Sequence, residues 1–291
     1  MQNISKLGLG TVQWGKAYGI SNREGKTSQD EVKRILLIAQ SNDIKLLDTA
    51  PSYGDSELIL GKRNLRDFKI VTKTEYFKNN TISNIDKENL ISTFMNSMLK
   101  LSLDSIDGLL IHDVNDLFKR GGEDLVDGLK FLKDSGLVKK IGISIYDSQQ
   151  INSSLQIFKP DIVQLPINVF DQRLIKDGTL KKLSELNIEI HARSIFLQGL
   201  LFIKENNLPE YFSPWKNKIS DWHYQCKIND LTPLSAALNF ILGLPEVNHC
   251  LVGVNSAKQL QEIIVASKKN IFFDKDFATD DEKLINPKNW C

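Results

Sequence analysis

The chain has 291 residues, 41% of them hydrophobic and 25% charged, enough apolar material for a sizeable core and too much for a disordered protein. Lys+Arg 37 against Asp+Glu 36 leaves a formal charge of +1, so no long-range field draws in nucleic acid or an anionic membrane. No apolar stretch approaches the roughly 18 residues of a membrane span.

Taken in order, the chain alternates short apolar runs with helical patterns. LGLGT (7–11) is the first run. Over 28–41, Ser28 precedes an acidic first turn, and Val32, Ile35, Leu36 and Ala39 recur at helical spacing. KLLDT (45–49) and KIVTKT (69–74) follow, then a helix over 84–102 carrying Leu90, Phe94, Met98 and Leu101. DGLLIHD (107–113) precedes a helix over 123–135 that Gly136 stops. KIGISI (140–145), DIVQLPI (161–167) and IEIHARSI (188–195) alternate with helical segments at 148–157 and 178–186. Thr232 and Pro233 open a helix over 232–243 as a cap and an N1 proline. CLVGV (250–254) leads into a last helix over 256–268.

Most runs are continuously apolar, the mark of strands buried on both faces of a parallel sheet. Eight such strands alternating with helices over about 250 residues predict a (β/α)8 TIM barrel, a single domain over 1–291. Alternation alone also suits an open doubly wound sheet. Residues 197–230 read as a long irregular loop after the seventh strand, rich in aromatics such as Tyr211, Phe212, Trp215 and Trp222. It is either a lid or binding loop on the catalytic rim or a packed surface excursion.

Polar residues stand where the runs end: Asp48, Tyr53 five positions on, Lys73 and His112. The carboxyl ends of neighbouring parallel strands share one rim, so these four would share one pocket. A carbonyl oxygen gains negative charge as hydride reaches its carbon, and a phenol can supply the proton. An ammonium nearby lowers the phenol's pKa, a carboxylate fixes the ammonium, and an imidazole orients the carbonyl. Singly, each has an ordinary use: Asp48 as a turn cap, Tyr53 as a rim residue, Lys73 as a solvated strand end, His112 as a structural histidine. Together they point to protonation of a carbonyl.

LGLGT (7–11), LLDTAPSYGDSELILGK (46–62), TKT (72–74) and LLIHD (109–113) resemble the aldo-keto reductase signatures in order and spacing, over nearly the whole chain. The resemblance implies a (β/α)8 barrel, a nicotinamide cofactor and a catalytic tetrad of Asp48, Tyr53, Lys73 and His112. It places Gly10 and Thr11 at the cofactor, and Ser144 and Gln164 at the nicotinamide carboxamide, with Ile145 where relatives carry asparagine. Arg193, followed by Ser194, stands where relatives stack an aromatic on the ring. VGVNSAKQLQE (252–262) resembles the adenosine-phosphate segment, which brings in Gly253, Asn255, Ser256, Lys258 and Gln259. Backbone N–H groups at that helix start can hold phosphate, with Ser256 as a donor or simply a cap. Of the positions that relatives use for a 2′-phosphate, none is basic here, so NADP(H) is favoured over NAD(H) only slightly.

For substrate, the rim offers Trp14, Tyr76, Asn168 and Arg173, with Gln13, Tyr146, Asp171 and Gln198 beside them, a mouth suited to a polar, sugar-like carbonyl. Few residues precede Leu7, so the hairpin with which many relatives plug the barrel bottom is not expected. The tail 270–291 or a partner chain would cover it instead. No carboxylate–histidine group shows metal spacing, so no metal is expected. MQNISKLGLG lacks a secretion signal, and Cys226, Cys250 and Cys291 show no pairing pattern, which together suit a cytoplasmic protein. A small-molecule carbonyl is the expected partner, and nothing in the sequence indicates an oligomeric state. A cofactor-binding regulatory or redox-sensing subunit is the alternative function.

Overall fold

Strands that are apolar on both faces need partners on both sides, and the eight runs provide them for one another. In the computed structural model, which describes residues 4–268 and 276–290, they form a closed parallel barrel in sequence order. The strands are β1 (Leu7–Gly10), β2 (Leu46–Asp48), β3 (Lys69–Lys73) and β4 (Ile106–Ile111), then β5 (Val138–Ser144), β6 (Ile162–Pro166), β7 (Glu189–Arg193) and β8 (His249–Gly253). β1 pairs with β8, which closes the ring and excludes the open sheet.

Each expected helix is present to within a residue or two of its expected ends. Ser28 caps Gln29–Ser41 by accepting from Glu31 N, and Thr232 caps Pro233–Leu242 through Ser235 N. Val32, Ile35, Leu36 and Ala39 are all buried, so the helical stripe read from sequence is the face laid on the barrel.

Period-two alternation sorts the barrel interior into layers. Leu46, Val71, Leu110, Ile162 and Leu251 form an apolar cluster inside the barrel. Two residues further along each chain come Asp48, Lys73, His112, Gln164 and Gly253, at the carboxyl rim. Asp48, Lys73 and Gln164 therefore stand on an apolar floor, positioned by strands, while His112 follows its strand directly.

The segment 197–230 is not an irregular loop. It contains the 3-10 turns Leu197–Phe202, Glu205–Asn207 and Glu210–Trp215 and the α-helix Lys216–Ile228. Phe212 and Trp222 are core residues of a second apolar cluster, shared with Phe170, Phe277, Leu284 and Ile285. Trp222 is fully buried and its Nε1 donates to Leu201 O at 3.1 Å. Of the two readings, packing is the one realised for these aromatics; only Leu197–Phe202 borders the cavity described below.

The tail also lies elsewhere than expected. Tyr211 Oη, with one proton to share, lies 2.9 Å from the carbonyl oxygens of both Lys283 and Asn289, and Arg173 pairs with Glu282 at 2.9 Å. These bonds knit residues 276–290 to the catalytic rim, opposite the barrel bottom. At the bottom the described chain before β1 is only the turn Ile4–Lys6, with Lys6 Nζ on Leu244 O at 2.9 Å. No helix among the described residues is long and apolar enough to cross a membrane. Cys226 and Cys250 are free and buried, with thiols pushed up to about 12 by burial; Cys291 lies outside the described residues.

Candidate active site

Asp48 ends β2 and Lys73 ends β3, and both are buried. Lys73 Nζ donates to the two carboxylate oxygens of Asp48 at 2.7 Å each and to Thr49 O at 3.0 Å, which uses all three of its protons. Gln164 Nε2 adds a bond to Asp48 Oδ1 at 2.7 Å. Burial pulls the Lys73 ammonium below its usual pKa, and the Asp48 charge holds it up.

Tyr53 lies in the turn between β2 and the helix Ser56–Gly61, with its N–H on Ala50 O at 3.0 Å. Two glycines make the turn possible. A β-carbon on Gly15 would lie 1.5 Å from Tyr53 O, and one on Gly54, at φ +61°, would lie 2.6 Å from Gly15 O. Neither glycine stands out in the sequence as a positioning residue. The Tyr53 ring has Lys73 Nζ 5.0 Å from its centroid, and its hydroxyl has no hydrogen-bond partner among the described residues. Burial, reinforced by the Asp48 charge, pushes the phenol well above its usual pKa, against a smaller pull from Arg193. The expected lowering by Lys73 does not prevail over burial and the Asp48 charge.

His112 follows β4. Its ring meets Tyr53 edge-on with centroids 6.0 Å apart and stacks on Tyr76 at 4.5 Å. Nε2 lies 3.0 Å from the Tyr76 hydroxyl, and Nδ1 is buried without a partner. Burial, then the charges of Lys73 and Arg193, bring the imidazole down to about 3, so it is neutral at ordinary pH with one N–H to donate. Burial also pushes Tyr76 up to about 12.

These residues open on a cavity of about 870 Å³ at the carboxyl rim. Of the positions expected at a cofactor, Gly10, Ser144, Gln164, Arg193 and Ser194 line it, as do Gly253, Asn255 and Gln259 on the β8 side. Three do not. Thr11 is buried beneath the rim, where its Oγ1 accepts from Ser56 Oγ at 2.6 Å; Ser256 caps Ala257–Ser267; Lys258 is exposed.

Of the substrate positions, only Tyr76 is on the wall, with Gln13, Tyr146 and Gln198. Trp14 is fully buried and donates from Nε1 to Val254 O at 3.2 Å. Asn168 accepts from Phe170 N and Asp171 N, both at 2.9 Å, and so holds its own turn. Arg173 is spent on Asp171 and Glu282. Sequence reasoning missed Tyr18, Glu262 and Lys288, which also line the cavity.

The expectation of no metal-type group is overturned at the barrel bottom. Glu189, His191 and His249 bring ligand atoms within 4.8 Å of one another. Lys140 already pairs with Glu189 there, which neutralises the carboxylate a cation would need.

Ser144 Oγ and Gln164 Oε1 face the cavity with no partner among the described residues, which fits them to a carboxamide. The other end fits phosphate less well. At the start of Ala257–Ser267 three N–H groups are already taken: Glu31 accepts from Ala257 N, Ser256 Oγ from Gln259 N at 3.2 Å and Gln259 Oε1 from Asn255 N at 2.7 Å.

A barrel with a buried Asp–Lys pair, a phenol and an imidazole around one rim cavity defines an oxidoreductase of carbonyl compounds. The sequence model of the Aldo/keto reductase family matches residues 6–285, and the chain belongs to that family, whose members use a nicotinamide cofactor. It is 29% identical to the aldo-keto reductase YhdN of Bacillus subtilis (strain 168), across 97% of this chain and 91% of that one. It is 25% identical to the L-galactose dehydrogenase of Arabidopsis thaliana, across 98% and 91%. Among solved structures, the aldo-keto reductase AKR11C1 from Bacillus halodurans (holo form) superposes with a TM-score of 0.72 at 18% identity, covering 92% of this chain and 88% of that one. The glycerol dehydrogenase AKR11B4 from Gluconobacter oxydans gives 0.69 at 20%, covering 96% and 89%.

Proposed function

We propose that this protein is a cytoplasmic NAD(P)H-dependent reductase of polar, sugar-like aldehydes or ketones, with Tyr53 as the general acid. One observation carries the proposal: Tyr53, its hydroxyl unpartnered among the described residues, lines the cavity beside the Asp48–Lys73 pair and His112. The nicotinamide, when bound, supplies hydride to the carbonyl carbon. Tyr53 delivers its proton to the oxygen that gains the electron pair, and Lys73 stabilises the phenolate left behind. His112 donates its N–H to the same oxygen and fixes the carbonyl face. Asp48, held by Gln164, keeps Lys73 charged and in place.

Ser144 and Gln164 would hold the carboxamide, and Arg193 would face the ring. The family resemblance gives NADP(H) a slight edge over NAD(H). The self-capped turn at Asn255–Gln259, with Glu262 alongside, keeps that edge small. One charge-assisted hydrogen bond is worth about 10–100-fold in affinity. Gln259→Arg should therefore raise NADPH affinity relative to NADH by about tenfold, read by titration of tryptophan fluorescence. A parent that already prefers NADPH by thousands would move the 2′-phosphate site elsewhere.

Gln13, Tyr76, Tyr146 and Gln198 on the cavity wall support a polar substrate. An apolar ligand would leave such groups unpaired, at about 1–3 kcal/mol each once buried. Open-chain sugars and keto-sugars should accordingly surpass long-chain aliphatic and aromatic aldehydes in kcat/KM. Superiority of the apolar set would remove the substrate class and leave the reaction type. The occupied N–H groups of Asn255, Ala257 and Gln259, and Ile145 in place of asparagine, favour one second reading, a cofactor-binding regulatory subunit with little turnover.

A further inference from the structure

Some cations on this rim are paired, Arg173 with Asp171 and Glu282 and Lys176 with Asp276. Lys16, Arg23, Arg193 and Lys288 line the cavity without a carboxylate partner among the described residues, and the last two share one aromatic ring. Arg193 lies with its guanidinium carbon 4.2 Å from the Tyr146 ring centroid, and Lys288 with Nζ 4.3 Å from the same centroid. Neither has a carboxylate partner among the described residues.

Hydrogen bonds hold the Arg193 side chain and the backbone turn that carries Lys288. Arg193 donates to Ile145 O at 3.0 Å and Ser194 Oγ at 3.3 Å. Lys288 belongs to the turn Pro287–Asn289, where the Asn286 side chain accepts from Lys288 N at 3.1 Å and Asn289 Nδ2 donates to Glu282 O at 3.1 Å. Tyr211 ties the same turn to the rim. Two cations against one aromatic ring, neither paired with a carboxylate, make a place where an anion is favoured.

We propose that Lys288, with Arg193 across the Tyr146 ring, forms an anion subsite that takes a carboxylate or phosphate group of the carbonyl substrate. This rests on the carbonyl-reductase reading and names its substrate class: a polar aldehyde or ketone carrying a negative group. The subsite stands over the end of β5, beside His112, whose imidazole both cations depress. Asn255 and Gln259, the cofactor's expected phosphate end, follow β8, with β6 and β7 between. Lys288 is therefore placed to hold substrate.

The test compares aldehydes that differ only in the anion: succinic semialdehyde against butyraldehyde, and glyceraldehyde 3-phosphate against glyceraldehyde. The parent should prefer one anionic member by about 10–100-fold, through KM. The pair that shows it separates carboxylate from phosphate. Lys288→Gln should reduce that ratio about tenfold, Lys288→Arg should restore it, and added salt should weaken it. Equal kcat/KM for both members of both pairs in the parent overturns the subsite. So does a Lys288→Gln variant that loses cofactor affinity instead. If no aldehyde is turned over, calorimetry with succinate and inorganic phosphate reads the subsite by itself. Binding lost in Lys288→Gln keeps the subsite while the reductase reading fails, and binding indifferent to Lys288 removes the subsite.

Discussion

Tyr53→Phe should abolish carbonyl reduction while leaving the fold and cofactor binding nearly untouched. The hydroxyl has no hydrogen-bond partner among the described residues, so its removal breaks no contact of the folded protein. The ring, with Lys73 Nζ 5.0 Å from its centroid, remains. What disappears is the proton donor. Loss of a positioned acid costs about 10²–10⁴-fold, or about 3–5 kcal/mol of barrier. Steady-state kinetics, thermal melting and cofactor titration on one preparation check the three parts separately. Turnover within a few-fold of the parent would move the acid to another residue, with Tyr76 next in position.

Lys73→Met should be as damaging to rate and, unlike the tyrosine change, should also destabilise the fold. Its Nζ makes three bonds, two of them to the carboxylate of Asp48, a residue that is 4% exposed. Methionine fills similar volume but strands Asp48 with Gln164 as its remaining partner. Breaking one side of a buried pair costs about 3–5 kcal/mol. Adding Asp48→Asn to Lys73→Met removes the stranded charge, so denaturant unfolding should recover much of that loss while turnover stays absent. Stability unchanged in the single variant would mean that Asp48 is better solvated than its burial implies.

The barrel was legible because both-face burial forces a near-continuous apolar run, and eight of them leave little else to build. Asp48, Tyr53, Lys73 and His112 were legible because each closes a run or lies in the turn after one, so a shared rim follows from the topology. The helix Lys216–Ile228 was not. Only Ile219, Trp222 and Cys226 of its residues are buried, among lysines and other polar side chains, and Pro209 and Pro214 before it mimic a loop. Trp14, Asn168 and Arg173 failed for a different reason. A polar or aromatic residue just past a strand can turn inward to serve the scaffold, and sequence does not show which way it turns. Arg173 finds Glu282 across 109 positions, and His249 meets Glu189 only through the register of β7 and β8. Lys288 reaches the cavity by the same kind of long-range packing.

The most direct measurement is a single turnover. Enzyme in excess over NADPH or NADH is mixed with a polar aldehyde while nicotinamide absorbance is followed. Rapid, aldehyde-dependent oxidation in the parent, absent from Tyr53→Phe although the cofactor is still bound, is the expected result. A parent that binds the cofactor and never oxidises it across the substrate panel would contradict the enzyme and leave the regulatory subunit.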